Sequence, residues 1–469
     1  GGWSRMSGLL GSFAACIACQ ACTCVSSSIC TFLCGKLCSG NDSPKQETVV
    51  SRTSRLTYFF LFLVVVLATW IFRDKAPESF TGNDIFSKSL NCPSDTKSNG
   101  CVARAFVLRL CFATSVFHLT LGLPTIGVND YSNPRVAFHT ALWPIKLAWW
   151  AILHFIVFLI PSSFFLGFGW LALIFGILFI LVQIILYIEW VYQLNEDWIA
   201  RDGAENISGP FHIAIMIISF ICFGGSVTLT AFMFKWFGTS STQPEESCGL
   251  YLFFISWNLI MFVFLTILSF RATEWVPSTG LLPSTLVAIF MTFKVLNALY
   301  SQNTCNSISA ASSTGPPEVI GGISIIIAVV LAAYNSVWIS KGMDRDGQFW
   351  GPTHDSGAQS NDRSVPLVEL EAQPTNHMNT DTVEHGESEA PALSGPVGYN
   401  VAFFHFAVAF GMCYVAMQLT NWNTEYTVNS IDKSTTSMWI KIVDSWILSL
   451  MYGWSMIAPK VLTNRQFEY

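Results

Sequence analysis

Charge is what this sequence has least of. Only 12% of its 469 residues are Asp, Glu, Lys or Arg, against about 25% in soluble domains. With 52% hydrophobic residues, that shortage excludes a soluble globule and leaves an all-α polytopic membrane protein. No run of Lys and Arg of the sort that grips nucleic acid occurs, so nucleic acid is not an expected partner. Catalytic signatures are missing as well: there is no G-x-S-x-G elbow, no P-loop and no H-E-x-x-H. Asp202-Gly203-Ala204-Glu205 begins like the D-G of CDP-alcohol phosphotransferases but lacks the acids and Arg that follow there. Neither an enzyme nor a cofactor is therefore expected. His118, His154, His212 and His405 are scattered along the chain and read as packing or interfacial residues rather than ligands.

Apolar runs are what the chain has in quantity. Spans are expected at residues 56–72, 102–122, 137–160, 164–188, 211–237, 251–270, 282–300, 320–339, 401–419 and 438–458, which makes ten. One of them does not stop where a membrane does. Residues 163–198 read as a single helix in which Gln183 is the one strongly polar side chain before Glu189, followed by Trp190, Tyr192, Asn195, Glu196, Asp197 and Trp198. At about 1.5 Å per residue it is roughly 50 Å long, against a hydrocarbon core of about 30 Å. Such a helix must tilt or project, and it is expected to run diagonally between two helical bundles.

Lys36, Lys45, Arg52 and Arg55 precede the first span and place the N-terminus in the cytosol by the positive-inside rule. Ten spans return the C-terminus, with Lys460 and Arg465, to the same side. The membrane it belongs to, endomembrane or plasma membrane, is left open. On that topology the polar-loop cysteines Cys92, Cys101, Cys248 and Cys305 all face an oxidising exterior, and the expected pairs are Cys92 with Cys101 and Cys248 with Cys305. The sequons at Asn41 and Asn206 would face the cytosol and stay unglycosylated. In the Cys-rich, small-residue segment at residues 1–40, Cys16, Cys19, Cys22 and Cys24 have a spacing that zinc sites use, but the residues between are apolar and no His is near, so packing or acylation fits better. The chain begins Gly1-Gly2 rather than with Met, so a truncated start and a targeting peptide both stay open. Residues 342–398 are acidic and rich in Ser, Pro, Gly and Asn, and are expected to form a disordered cytosolic loop between the spans at 56–340 and those at 401–462.

Charges inside spans are costly, by at least about 2.5–3.5 kcal/mol each, so each marks a candidate site. Depth counting puts Arg109, Lys294, Lys441 and Asp444 at similar heights near the outer leaflet, as a net-positive cluster suited to a lipid phosphate or carboxylate. A structural Arg109 to Asp444 pair is the plainer alternative. Lys146 and Glu189 form a second candidate, a buried ion pair that strong tilt of the long helix would bring together.

Several blocks resemble one family. They are the Cys-rich start, Arg109-Leu110-Cys111-Phe112-Ala113, Asn133-Pro134-Arg135 with Trp143 and Lys146, Glu189 with Asn195 and Trp198, and Ser278-Thr279-Gly280-Leu281-Leu282. The most specific lie near the end: Phe403-Phe404-His405-Phe406, Leu419-Thr420-Asn421-Trp422, Trp439-Ile440-Lys441, Ser445-Trp446 and Asn464-Arg465. In this order they resemble the serine incorporator family over nearly the whole chain. Asn133 stands where that family usually has Asp, Pro144 interrupts its aromatic run, Pro283 stands where Gln is common, and Lys294 lies near a family Trp-Ser pair. The resemblance implies ten spans in two subdomains divided by a long diagonal helix. It also implies the handling of polar lipid headgroups, either by ATP-independent scrambling or by incorporation of serine into phosphatidylserine and sphingolipids. Membrane phospholipids, sphingolipids and L-serine are the implied partners, and a homo-oligomer is compatible with it. The alternatives are a non-transporting scaffold for lipid-synthesis enzymes and a proton-coupled serine carrier.

Overall fold

The computed structural model describes residues 46–80, 99–128, 132–202, 209–238, 248–301, 305, 400–422 and 435–462. The cysteines of the N-terminal segment, Cys92, Asn41 and Asn206, the expected span at 320–339 and the acidic stretch at 342–398 lie outside them. Ten α-helices occur among the described residues: α1 (Gln46–Phe80), α2 (Asn99–Gly122), α3 (Ala137–Thr140), α4 (Trp143–Ile156), α5 (Ser162–Asp202), α6 (Pro210–Phe237), α7 (Gly249–Ala272), α8 (Leu281–Tyr300), α9 (Val401–Leu419) and α10 (Thr435–Val461). Seven helices are long and apolar enough to cross a membrane, or eight if a bent pair counts as one span. The chain is an integral, multi-pass, all-α membrane protein. α10, with 27 residues, is long enough to cross but less apolar than the seven, because its buried face carries Ser437, Lys441, Asp444, Ser445 and Ser449.

The bent pair corrects the expected span at 137–160. α3, with the 3-10 turn Pro134–Val136 before it, meets α4 at a 61° bend, with Leu142 between them in left-handed conformation at φ 62°. Pro144 is the cause. It has no N–H to bond back to Thr140 and its ring clashes with that turn, so one helix cannot run from Ala137 through Lys146.

Packing sorts the helices around α5. α1, α2, α3, α4 and α9 pack on one another, with α2 against both α1 and α9; α6, α7, α8 and α10 form a second set centred on α8. α5 is unbroken for 41 residues, or about 60 Å. Its first half lies on the first set, where Phe165 and Phe168 meet Phe112 of α2 and Phe175 stacks on Phe410 of α9. Its second half serves the other set: the Tyr187 hydroxyl donates to Leu286 O (2.8 Å), Tyr192 bonds Ser455 (2.8 Å), and the Asn195 amide donates to Ser278 O (3.1 Å). At its end Asp202 accepts from the backbone N–H groups of Phe211 and His212, at 2.8 and 2.9 Å, capping α6. That is the role of the acid in the Asp202-Gly203 pair.

Small residues decide how close α5 comes to α9. A Cβ on Gly411 would meet Phe179 at 3.3 Å, and one on Gly176 would meet Met417, Trp422 and Tyr414 at 3.5 Å. Outward, Phe155, Leu159, Phe220, Ile221 and Leu450 are among the large apolar side chains left exposed, as lipid-facing surfaces require. Cys248 and Cys305 are joined by a disulfide with Cα atoms 5.9 Å apart, tying the start of α7 to the end of α8. Cys101 is also disulfide-bonded, and Cys111, Cys222 and Cys413 are free thiols within helices.

Gly411→Leu is expected to destabilise the detergent-solubilised protein by about 1–3 kcal/mol through overpacking. Gly224→Ala, where no atom lies within 4 Å of the new Cβ, should leave the unfolding midpoint level or slightly raised. Equal loss in both variants would show that the α5–α9 contact is not tightly packed. Cys248→Ala should cost about 2–4 kcal/mol, and Cys248→Ala combined with Cys305→Ala no more than either alone, both read from thermal midpoints without reductant.

Candidate functional site

α8 and α10 run antiparallel in the second set, and each places a polar side chain on the shared face at every turn. Lys294, Asn297 and Ser301 are three and four residues apart on and just past α8, as are Asp444, Lys441 and Ser437 on α10, so each column lies along one helix face. The columns meet in register. Lys294 Nζ donates to Asp444 Oδ2. Lys441 Nζ donates to Asn297 Oδ1 at 3.1 Å and to Ser301 Oγ at 2.8 Å, and Ser437 Oγ lies 3.3 Å from Ser301 Oγ. Lys294, Lys441 and Asp444 are all buried. Nearby, Asn258 of α7 donates to Thr292 Oγ1 at 3.0 Å.

Two features of this ladder bear on binding. It sets two lysine amino groups against one carboxylate, and Lys441 has only neutral partners, Asn297 and Ser301. Asp444 Oδ1 and Asn258 Oδ1 are both buried with no hydrogen-bond partner, two acceptors aimed into low-dielectric surroundings where an unmet acceptor is costly. The Lys294 ammonium also lies 4.6 Å from the centroid of Phe290, whose π face adds to its stabilisation.

Arg109 is not part of the ladder. Depth counting gave only a height along each helix and said nothing of the set to which α2 belongs. Its guanidinium donates to Ala105 O (3.2 Å), Ile160 O (3.3 Å) and Ser162 Oγ (3.0 Å), and lies 4.5 Å over the Phe165 ring. It pins the corner between α4 and α5, and the Arg109 to Asp444 pair is not made because Asp444 holds Lys294. The Lys146 to Glu189 pair is not made either. Lys146 Nζ donates to His139 O at 2.8 Å and sits 4.4 Å from the Trp143 ring, while Glu189 accepts from Gln193 at 3.2 Å. The bend at Leu142 turns Lys146 back onto α3, and Glu189 belongs to the half of α5 that faces the second set.

The larger surprise is among the histidines. His139 of α3, His118 of α2 and His405 of α9 are fully buried and joined in a line: His118 Nδ1 lies 3.0 Å from His405 Nδ1, and His405 Nε2 lies 3.0 Å from His139 Nδ1. Tyr58 of α1 donates to His139 O at 3.0 Å and its ring touches all three imidazoles. No sequence pattern gathers these residues, because the two imidazole links join positions 287 and 266 residues apart. Among the described residues no group of three or more His, Cys, Asp or Glu is arranged to hold a metal ion.

These meetings also join blocks that are distant in sequence: Phe403-Phe404-His405-Phe406 reaches the turn after Asn133-Pro134-Arg135, and the segment from Glu189 to Trp198 reaches Ser278-Thr279-Gly280. The family model described as Serine incorporator (Serinc) matches residues 21–465. A probable serine incorporator of Monosiga brevicollis is 28% identical over 463 residues, covering 89% of this chain and 92% of its own. One of Dictyostelium discoideum is 28% identical over 441 residues, covering 90% and 97%. Serine incorporator 3 of Bos taurus is 25% identical over 482 residues, covering 92% and 95%. With the match running nearly end to end, the chain belongs to the serine incorporator family.

Proposed function

We propose that the protein handles polar lipid headgroups, lowering the barrier to their passage across the bilayer without ATP. The observation that carries this reading is the ladder between α8 and α10: two buried lysines, one buried aspartate and an unmet carboxylate oxygen, inside the packed interior of the second helical set. A phosphatidylserine headgroup supplies the complement. Its phosphate and carboxylate suit Lys441 and Lys294, and its ammonium suits Asp444 Oδ1. The relatives' name, serine incorporator, supports a headgroup that bears serine, and sphingolipids, whose synthesis begins from serine, fall within the same chemistry. A charged headgroup crossing bare hydrocarbon meets a barrier of many kcal/mol, and partners of opposite charge along the path reduce it.

The test is dye-labelled phosphatidylserine in vesicles holding the full chain, with flipping read by bleaching of outward-facing dye. Flipping no faster than in protein-free vesicles overturns the proposal. Lys441→Met should slow it roughly tenfold, the effect of losing about 1.4 kcal/mol of headgroup stabilisation. Deleting residues 342–398 should leave the rate unchanged; a loss there would favour the scaffold role instead. Lys294→Met is a probe of stability, because it strands Asp444 without its cation and should cost about 3–5 kcal/mol. Replacing both partners, Lys294→Met with Asp444→Leu, should recover most of that loss in a thermal melt.

A further inference from the structure

We propose that His118, His405 and His139 form a proton relay through the interior of the first helical set, a second activity separate from headgroup handling. The geometry is unusual for packing histidines. His154 shows the ordinary case: its Nδ1 meets Trp150 O at 2.8 Å and must donate, so its tautomer is fixed and Nε2 can only accept from Thr114, at 3.2 Å. His405 has no such arbiter. Each of its nitrogens meets another imidazole nitrogen at 3.0 Å, and either ring can be donor or acceptor.

With one N–H per ring, the line has two complete orders. In the first, His118 Nδ1–H donates to His405 Nδ1 and His405 Nε2–H donates to His139 Nδ1, leaving His118 Nε2 bare and His139 Nε2 protonated. When a proton binds His118 Nε2, an N–H bond forms there. The Nδ1 proton of His118 passes to His405, the Nε2 proton of His405 passes to His139 Nδ1, and His139 releases its Nε2 proton. One proton enters and one leaves, with no oxidant or reductant. The intermediate is an imidazolium at His405 that donates both ways, so neither link breaks while the charge is in transit. Sustained flow in one direction requires the rings to turn between transfers, which limits the rate.

At one end of the line His118 Nε2 is buried and without a partner, an unmet nitrogen on the α2 face that carries Thr114 one turn away. His139 sits on the four-residue α3, just past Arg135 on the exposed turn that leads into it. Several groups face the line from the elements around it: Tyr58 and Arg55 of α1, Lys146 of α4, and the rings of Phe117 and Phe404. Lys146 and Tyr58 both donate to the backbone carbonyl of His139, which anchors the main chain that carries the ring.

The test is proton flux into vesicles that hold the full chain and a trapped pH-sensitive dye, with voltage set by a potassium gradient and valinomycin. Flux is expected well above that of protein-free vesicles. His405→Gln, whose amide can still donate and accept but cannot pass a proton on, should lower it at least tenfold. Flux equal to that of protein-free vesicles, or unchanged in His405→Gln, overturns the proposal. Nitrogen NMR of the unsubstituted chain, labelled at histidine and held in lipid discs, decides independently of whether the variant folds. Signals of His405 averaged between protonated and bare nitrogen support the relay, and a single frozen tautomer overturns it. Phosphatidylserine flipping in the same vesicles reports on the other site, so failure of one activity leaves the other readable.

Discussion

Hydrocarbon offers no hydrogen-bond partner, and that single constraint arranges most of this molecule. A polar side chain in water finds a partner anywhere; here it must find one on a neighbouring helix or on its own preceding turn. Many threonines and serines take the second course, as Thr69, Thr230 and Thr292 do by bonding the carbonyl four residues back. The charged residues need more than that turn offers. Lys294 is held by Asp444, Lys441 by Asn297 and Ser301, Arg109 by the carbonyl and hydroxyl at the α4–α5 corner, and Lys146 by a carbonyl of α3. Each of these contacts fixes which helices lie side by side, so polar pairing specifies the packing that apolar surfaces alone would leave degenerate in lipid.

α5 joins the two sets because it is long enough to serve both. One continuous apolar core runs from Phe62, Phe117 and Met412 of the first set, through Phe179 and Tyr187 of α5, to Phe290, Leu448 and Tyr452 of the second. A separate cluster surrounds the Cys248–Cys305 disulfide, with Phe237, Phe254, Leu299 and Ile442. The α8–α10 ladder runs alongside this second cluster, its residues interleaved with Val295, Leu299, Met438 and Ile442. The disulfide lies at the end of the second set from which Ser301 and Ser437 begin the polar column.

Much of the fold was legible from hydropathy, because a buried helix and a lipid-facing helix are both continuous apolar runs and length separates them from turns. The long helix was legible too: nothing between Ser162 and Asp202 breaks an α-helix. The bend within 137–160 was missed because hydropathy averages over the whole stretch while its backbone is governed by Pro144. Side-by-side placement of Lys294, Lys441 and Asp444 followed from depth along each helix. Depth is a single coordinate, however, and it could not show that Arg109 belongs to the other set, at the corner between α4 and α5. The histidine line was beyond reach for the same reason: α2, α3 and α9 meet only through the tertiary packing of α9 against α2.

The freedom from Gly and Pro that α5 enjoys after Gly176 has a mechanical consequence. A shaft with no soft joint cannot bend to absorb displacement between the bodies mounted on it. Gly167, Gly169 and Gly176 all lie in the portion mounted on the first set, whereas the portion bearing Tyr187, Tyr192 and Asn195 is stiff to its end, where Asp202 clamps the start of α6. Any relative movement of the two sets must therefore appear as slippage at the glycine-lined crossing of α5 and α9, with the rest of the shaft and α6 carried along as one piece.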